Sequence, residues 1–136
     1  MPTHRVVLLV ESQPDLLDSL GFALRRRGYH VLTARDGERA CELLDRHRPD
    51  VVVSAVLLPG CSGFELVRLA KERSDGPIPV VLMSRLAGAL RDYALALGAD
   101  HYLAQPFTPA AVMAVVEALC PPAGSGAFAW PTATPA

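Results

Sequence analysis

Val51-Val52-Val53-Ser54-Ala55-Val56-Leu57-Leu58-Pro59-Gly60 is the stretch that decides the fold. Its near-continuous apolar run has strand length, and lack of polar alternation implies burial on both faces of a sheet, as in parallel sheets covered by helices. Pro59-Gly60 then signals a turn. Similar runs lie at 6–10 and 80–84, with two more at 29–34 and 101–103. An amphipathic segment follows each run. The chain therefore reads as five βα units, an α/β, doubly wound fold with a parallel sheet.

Helix signals support this division. Pro14-Asp15 opens the first helix, with Leu16, Leu17, Leu20, Ala23 and Leu24 at helical spacing and Gly28 just past its end. Asp36-Gly37-Glu38 opens the second, which carries Ala40, Leu43 and Leu44 and stops at Pro49. Ser62 and Glu65 predict a capping box for the third, ahead of Leu66, Val67 and Leu69. The fourth helix is expected over 88–97, ending at Gly98, and the fifth from Thr108-Pro109 to Leu119.

The 136 residues are about one domain's worth, and 13 basic against 14 acidic side chains give no electrostatic footprint for nucleic acid or an anionic membrane. Cys41, Cys61 and Cys120 are an odd number at wide spacing, so they are read as free thiols in a reducing compartment rather than a disulfide framework or zinc site. The apolar run at 6–10 is too short for a signal-peptide core or a membrane span, and a cytoplasmic location is expected. Residues 1–120 are read as the folded domain. Residues 121–136, rich in Pro, Ala and Gly, are read as a flexible tail or linker with Trp130 as its one anchor point. No internal repeat is visible.

In an open parallel sheet, chemistry sits at the carboxyl ends of the strands. Those ends read Glu11-Ser12-Gln13-Pro14, Ala55 to Gly60, Ser84-Arg85, and Tyr102-Leu103-Ala104-Gln105-Pro106-Phe107. Together with Gly28-Tyr29, Gly63 and Gly98-Ala99-Asp100, they closely resemble the CheY-like response-regulator receiver family over residues 5–119. The resemblance implies a flavodoxin-like sheet in the order 2-1-3-4-5, with two helices on one face and three on the other.

It also implies a phosphorylation site. A receiver takes a phosphoryl group onto an aspartate at the end of the third strand, with magnesium held by acids nearby, a lysine and a hydroxyl on the phosphoryl oxygens, and an aromatic reporter on the fifth strand. This sequence departs from that pattern. Four residues before Pro59, where the acceptor belongs, stands Ala55, and the acidic pair has become Glu11-Ser12. Gln105 replaces the lysine before Pro106, while Ser84 keeps the hydroxyl and Tyr102 the ring. An unpaired lysine in such a pocket would be a costly charge, so the losses agree with one another and argue against a single engineered knockout at Ala55.

The expectation is thus a degenerate receiver with weak or absent magnesium binding and no enzyme activity. It would work by phosphorylation-independent docking to a protein partner, or to a second copy, within two-component signalling. Nucleic acid and membrane are not expected partners. The docking face is expected to be that of the fourth helix, fifth strand and fifth helix. It would use Tyr102 with Ala111, Ala114, Val115 and Ala118, which are read as facing outward beside a buried stripe of Val112, Val116 and Leu119. An alanine-rich helix chosen for propensity alone is the competing account of that strip.

Ser54 as a substitute acceptor is disfavoured because strand alternation turns it away from Ala55. Asp50, at the start of the same strand, is read as a turn residue. Glu11, Ser12 and Ser84 as a hydrolytic site lack a histidine base. Arg25-Arg26-Arg27 is read as a solvated cap favoured by the helix dipole. Two alternatives stay open: a small neutral ligand in the vacated pocket, and phosphorylation at a non-standard residue.

Overall fold

The computed structural model describes residues 4–86, 88–105 and 107–123. Every residue of the deciding run Val51–Ala55 is a buried strand residue. It is β3 in the series β1 (Val6–Val10), α1 (Pro14–Arg26), β2 (His30–Ala34), α2 (Gly37–Arg46), β3, α3 (Gly63–Lys71), β4 (Val80–Ser84), α4 (Arg91–Leu97), β5 (His101–Ala104) and α5 (Pro109–Leu119). The five strands form one parallel sheet in the order β2-β1-β3-β4-β5. Val7 is paired with Val31 on one side and Val51 on the other, and Ala55 with Met83.

Period-two alternation along the strands divides the core in two. Leu8, Val10, Val52 and Leu82 meet α2, α3 and α4 through Leu43, Leu66, Val67 and Ala94. Val7, Leu9, Val53 and Val81 meet α1 and α5 through Leu17, Leu20, Leu24, Val112 and Val116. Burial of an aliphatic side chain contributes about 1.5–3 kcal/mol, so these two layers dominate stability. Asp50 and Asp100 accept hydrogen bonds from the Val6 and Val80 amides at 2.7 and 2.8 Å, so Asp50 secures a strand start, away from the carboxyl ends where the site lies.

Helix starts follow their caps. Asp36, Ser62 and Thr108 accept from the amides of Arg39, Glu65 and Ala111. The capping box at Ser62 is half formed, because the Glu65 carboxylate pairs with Arg68 instead of reaching back. α4 begins at Arg91 rather than at residue 88. The Ala89 amide bonds the Leu86 carbonyl and the Arg91 amide the Gly88 carbonyl, so tight turns occupy that segment, and Leu90 supplies no capping side chain. The helix ends at Gly98 with φ +113°, a conformation that a Cβ would strain.

α5 is turned differently from the expected pattern. Its buried stripe is Val112, Met113 and Val116, with Leu119 half-buried. Val115 does not face outward but packs half-buried against the core. Three residues fall about 60° short of a full helical turn, which sets Val115 on the flank of the stripe beside Val112. Ala111 is half-buried, while Ala114 and Ala118 are exposed. α5 is tied to the turn between α1 and β2 by an Arg27–Glu117 ion pair at 2.6 Å and by the Tyr29 hydroxyl, which donates to the Cys120 carbonyl at 2.5 Å. Among the described residues no helix is long and apolar enough to cross a membrane. Most of the segment read as a tail, Trp130 included, lies outside the described residues.

Candidate functional site

At the carboxyl ends of β1, β3 and β4, and just past β5, the chain leaves a cleft of about 220 Å³. Glu11, Ser12, Ala55, Ser84 and Gln105 all line it, so residues up to 94 positions apart in sequence (105 minus 11) share one site. Parallel strands produce this convergence by pointing all their carboxyl ends the same way.

Each polar group is held locally. Glu11 is only 6% exposed, and its carboxylate accepts from the Gln13 amide at 2.9 Å while its own amide donates to the Ala34 carbonyl. The Ser84 hydroxyl accepts from the Leu86 amide at 2.9 Å, and the Gln105 amide donates to the Ser84 carbonyl at 2.7 Å. Ala55, 8% exposed, presents only its methyl to the cleft. Ser54 is buried outside the lining, and its hydroxyl donates to the Ala55 carbonyl at 2.8 Å, as strand alternation requires.

Four lining residues went unassigned from the sequence: Gln13, Leu57, Met83 and Arg85. Arg85 had a signal, since it follows Ser84 at a strand end. It is exposed, and with Glu11 it makes up the charged lining of the cleft. No histidine is part of that lining, and among the described residues no three His, Cys, Asp or Glu side chains are grouped to hold a metal ion.

Tyr102 does not belong to an open docking surface. Its ring is 1% exposed, inside the layer beneath α4, and its hydroxyl meets no hydrogen-bonding partner among the described residues. Arg91 donates to the Tyr102 carbonyl at 3.3 Å, which holds α4 to β5. The exposed apolar side chains of α4 are instead Tyr93, Leu95 and Leu97, of which Tyr93 and Leu97 border the groove toward α3. Tyr93 meets Phe64 edge to face at 4.9 Å.

An open parallel sheet with a cleft across its carboxyl ends defines the class of doubly wound ligand and signalling domains. The response regulator receiver domain model matches residues 7–117, and the chain belongs to that family. It is similar in structure to the chemotaxis response regulator CheY4 of Vibrio cholerae, with 27% identity and a TM-score of 0.78 over 86% of this chain and 99% of that one. A response regulator from Chloroflexus aurantiacus J-10-fl matches at 27% identity and TM-score 0.78, over 86% and 98% of the two chains. The receiver domain of a sensor histidine kinase from Pseudomonas aeruginosa PAO1, solved with magnesium in its active-site cleft, matches at 27% and 0.75, again over 86% and 98%.

Proposed function

We propose that this receiver domain is a pseudo-receiver, acting in the cytoplasm by docking a protein partner without passing through an aspartyl phosphate. The observation that carries this reading is the methyl of Ala55 at the end of β3, lining the cleft where the family's attacking carboxylate stands. A methyl group cannot attack phosphorus. Glu11 alone is a poor ligand set for magnesium, which is bound through carboxylates with near-ideal octahedral geometry. With Gln105 in place of lysine, the cation that the family's pattern sets before Pro106 is gone, and exposed Arg85 is the positive charge left in the described lining. The same chemistry leaves the domain without enzyme activity.

The docking face in this reading is formed by α4, β5 and α5, now represented by Leu95 with Ala114 and Ala118, all exposed. A small neutral ligand in the cleft is the weaker reading. About 220 Å³ falls below the ~300 Å³ at which ligand pockets ordinarily begin.

The test is the melting temperature with and without millimolar magnesium and beryllofluoride, a mimic of the aspartyl phosphate, with an acid-bearing receiver run alongside. The expected result is no shift for this chain and a clear rise for the control. A rise in this chain would show a working metal and phosphoryl pocket and overturn the proposal. Phosphopeptide mapping after treatment with a phosphodonor checks the remaining alternative, a modified residue elsewhere.

A further inference from the structure

Cys41 and Cys61 stand 20 residues apart in sequence, yet their Sγ atoms lie 3.5 Å from each other. Cys41 is on α2 and Cys61 is in the turn between β3 and α3. Both are half-buried, which leaves them open to a small reagent. Their backbones are also held close. The Gly37 amide donates to the Pro59 carbonyl at 2.8 Å, and a Cβ on Gly37 would lie 2.6 Å from the Cys61 amide nitrogen. The first turn of α2 is therefore seated directly on the backbone that carries Cys61.

We infer that Cys41 and Cys61 form a site of reversible oxidation, closing to an intramolecular disulfide when the domain meets a peroxide. A disulfide needs its sulfurs at about 2.05 Å. The remaining 1.5 Å, the difference between 3.5 Å and that bond length, is within reach of small side-chain rotations. The other free thiol cannot compete, because Cys120 is buried in the layer beneath α1 and α5, across the sheet from Cys41.

The geometry also gives the two sulfurs different roles. Burial pushes the Cys61 thiol up to about 12, helped by its hydrogen bond with Cys41 and by the Glu65 charge. The Cys61 sulfhydryl also donates to the Ser62 carbonyl at 3.6 Å, so Cys41 is taken as the sulfur that attacks first. The Cys41 sulfur, once its proton is lost to solvent, attacks one peroxide oxygen. The O–O bond breaks, hydroxide leaves and takes up a proton, and Cys41 becomes a sulfenic acid. The Cys61 sulfur then gives up its proton and attacks the Cys41 sulfur. The S–O bond breaks and hydroxide leaves with that proton as the second water. Two thiols and one peroxide give one disulfide and two waters, and a dithiol reductant reverses the change. The product would fasten α2 to the loop that follows Ala55, beside Leu57 on the rim of the cleft.

The experiment treats the full chain with a modest excess of hydrogen peroxide and reads intact mass, non-reducing tryptic peptides and melting temperature. The expected result is the loss of two hydrogens per monomer and a crosslink between peptides 40–46 and 47–68. It includes a melting temperature about 10 °C higher, since the bridge closes a loop of about twenty residues in the unfolded chain. Dithiothreitol should reverse all three changes. Cys120→Ser should behave like the parent, while Cys41→Ser and Cys61→Ser should not crosslink. Overturning results are oxygen addition at Cys41 or Cys61 without a bridge, a bridge to Cys120, a bridge between two chains, or unchanged thiols. The parent's own reversible mass change keeps the test decisive even if a serine variant folds poorly.

Discussion

Gly63 faces Ala55 so closely that a methyl added at Gly63 would overlap the Ala55 carbonyl oxygen and come within 3.0 Å of the Val56 Cα. The Gly63 amide also donates to the Val56 carbonyl at 2.9 Å. The start of α3 is thus seated on the chain just past β3, which fixes the backbone that presents position 55. Gly63→Ala should lower stability by about 1–3 kcal/mol, the usual cost of overpacking. Guanidinium unfolding measures this, and a change under about 0.5 kcal/mol would mean that α3 slides freely on the strand end.

An acid placed at position 55 should not by itself make the cleft respond to a phosphoryl mimic. Ala55→Asp places a carboxylate at a buried position beside buried Glu11, and is expected to cost about 1–3 kcal/mol at neutral pH. It should gain no melting response to magnesium with beryllofluoride. Adding Ser12→Asp and Gln105→Lys should produce that response. A response from the single variant would show that the missing acceptor is the site's one defect.

The unpartnered hydroxyl of Tyr102 leads to a different expectation. Tyr102→Phe removes a buried polar atom that has no partner among the described residues and keeps the ring that fills the layer under α4. Stability should be unchanged or higher by up to about 1 kcal/mol, whereas Tyr102→Ala should lose about 3–5 kcal/mol. A clear loss in the phenylalanine variant, measured by urea unfolding, would mean that the hydroxyl is bonded in solution.

The clasp between Tyr29 and Cys120 should show itself in alkali. Burial holds the Tyr29 phenol above its usual range, with the Cys120 and Glu117 charges adding to the effect. The folded state therefore favours the neutral phenol. Its contribution is complete below the unfolded phenol's pKa near 10 and is lost as pH climbs beyond that value toward the folded one. Tyr29→Phe should cost about 1 kcal/mol at neutral pH and show a shallower alkaline decline. Equal slopes for parent and variant above pH 10 would contradict this.

Charges on the exposed side of α5 should separate docking from folding. Ala114→Glu with Ala118→Glu touches two exposed positions and should leave stability within about 0.5 kcal/mol of the parent. Loss of binding to the protein partner is the expected effect. For a self-association, the readout is a shift to monomer in size-exclusion chromatography. Unchanged association would move the docking face elsewhere.

The strand runs made most of the fold legible. Val51–Ala55 and Val80–Ser84 are buried throughout, so their residue types alone announce a covered parallel sheet. The cleft residues were legible for a related reason, since strand ends in such a sheet must converge. What could not be read depended on orientation and tertiary contact. Val115 looks outward on a schematic helix, but its place beside Val112 brings it to the core's edge. Tyr102 kept the aromatic type expected of a switch residue, while the depth of its burial was set by α4 above it. The closeness of Cys41 and Cys61 arises from the way α2 sits on the turn after β3, and spacing along the chain does not encode that contact.

The strand order has a consequence for synthesis. β1 is flanked by β2 and β3, and β4 and β5 join beyond β3 in the order in which they are made. The sheet can therefore extend from its first three strands as the chain emerges from the ribosome, without waiting to insert a late strand between early ones. The layer closed by α5 is different. Its clasp joins residues 91 positions apart, so the apolar faces of α1 and the early strands that α5 covers remain uncovered until nearly the whole domain has been translated. A ribosome halted before that helix would hold a nascent chain with a paired sheet and one open, adhesive side, the natural target for a chaperone.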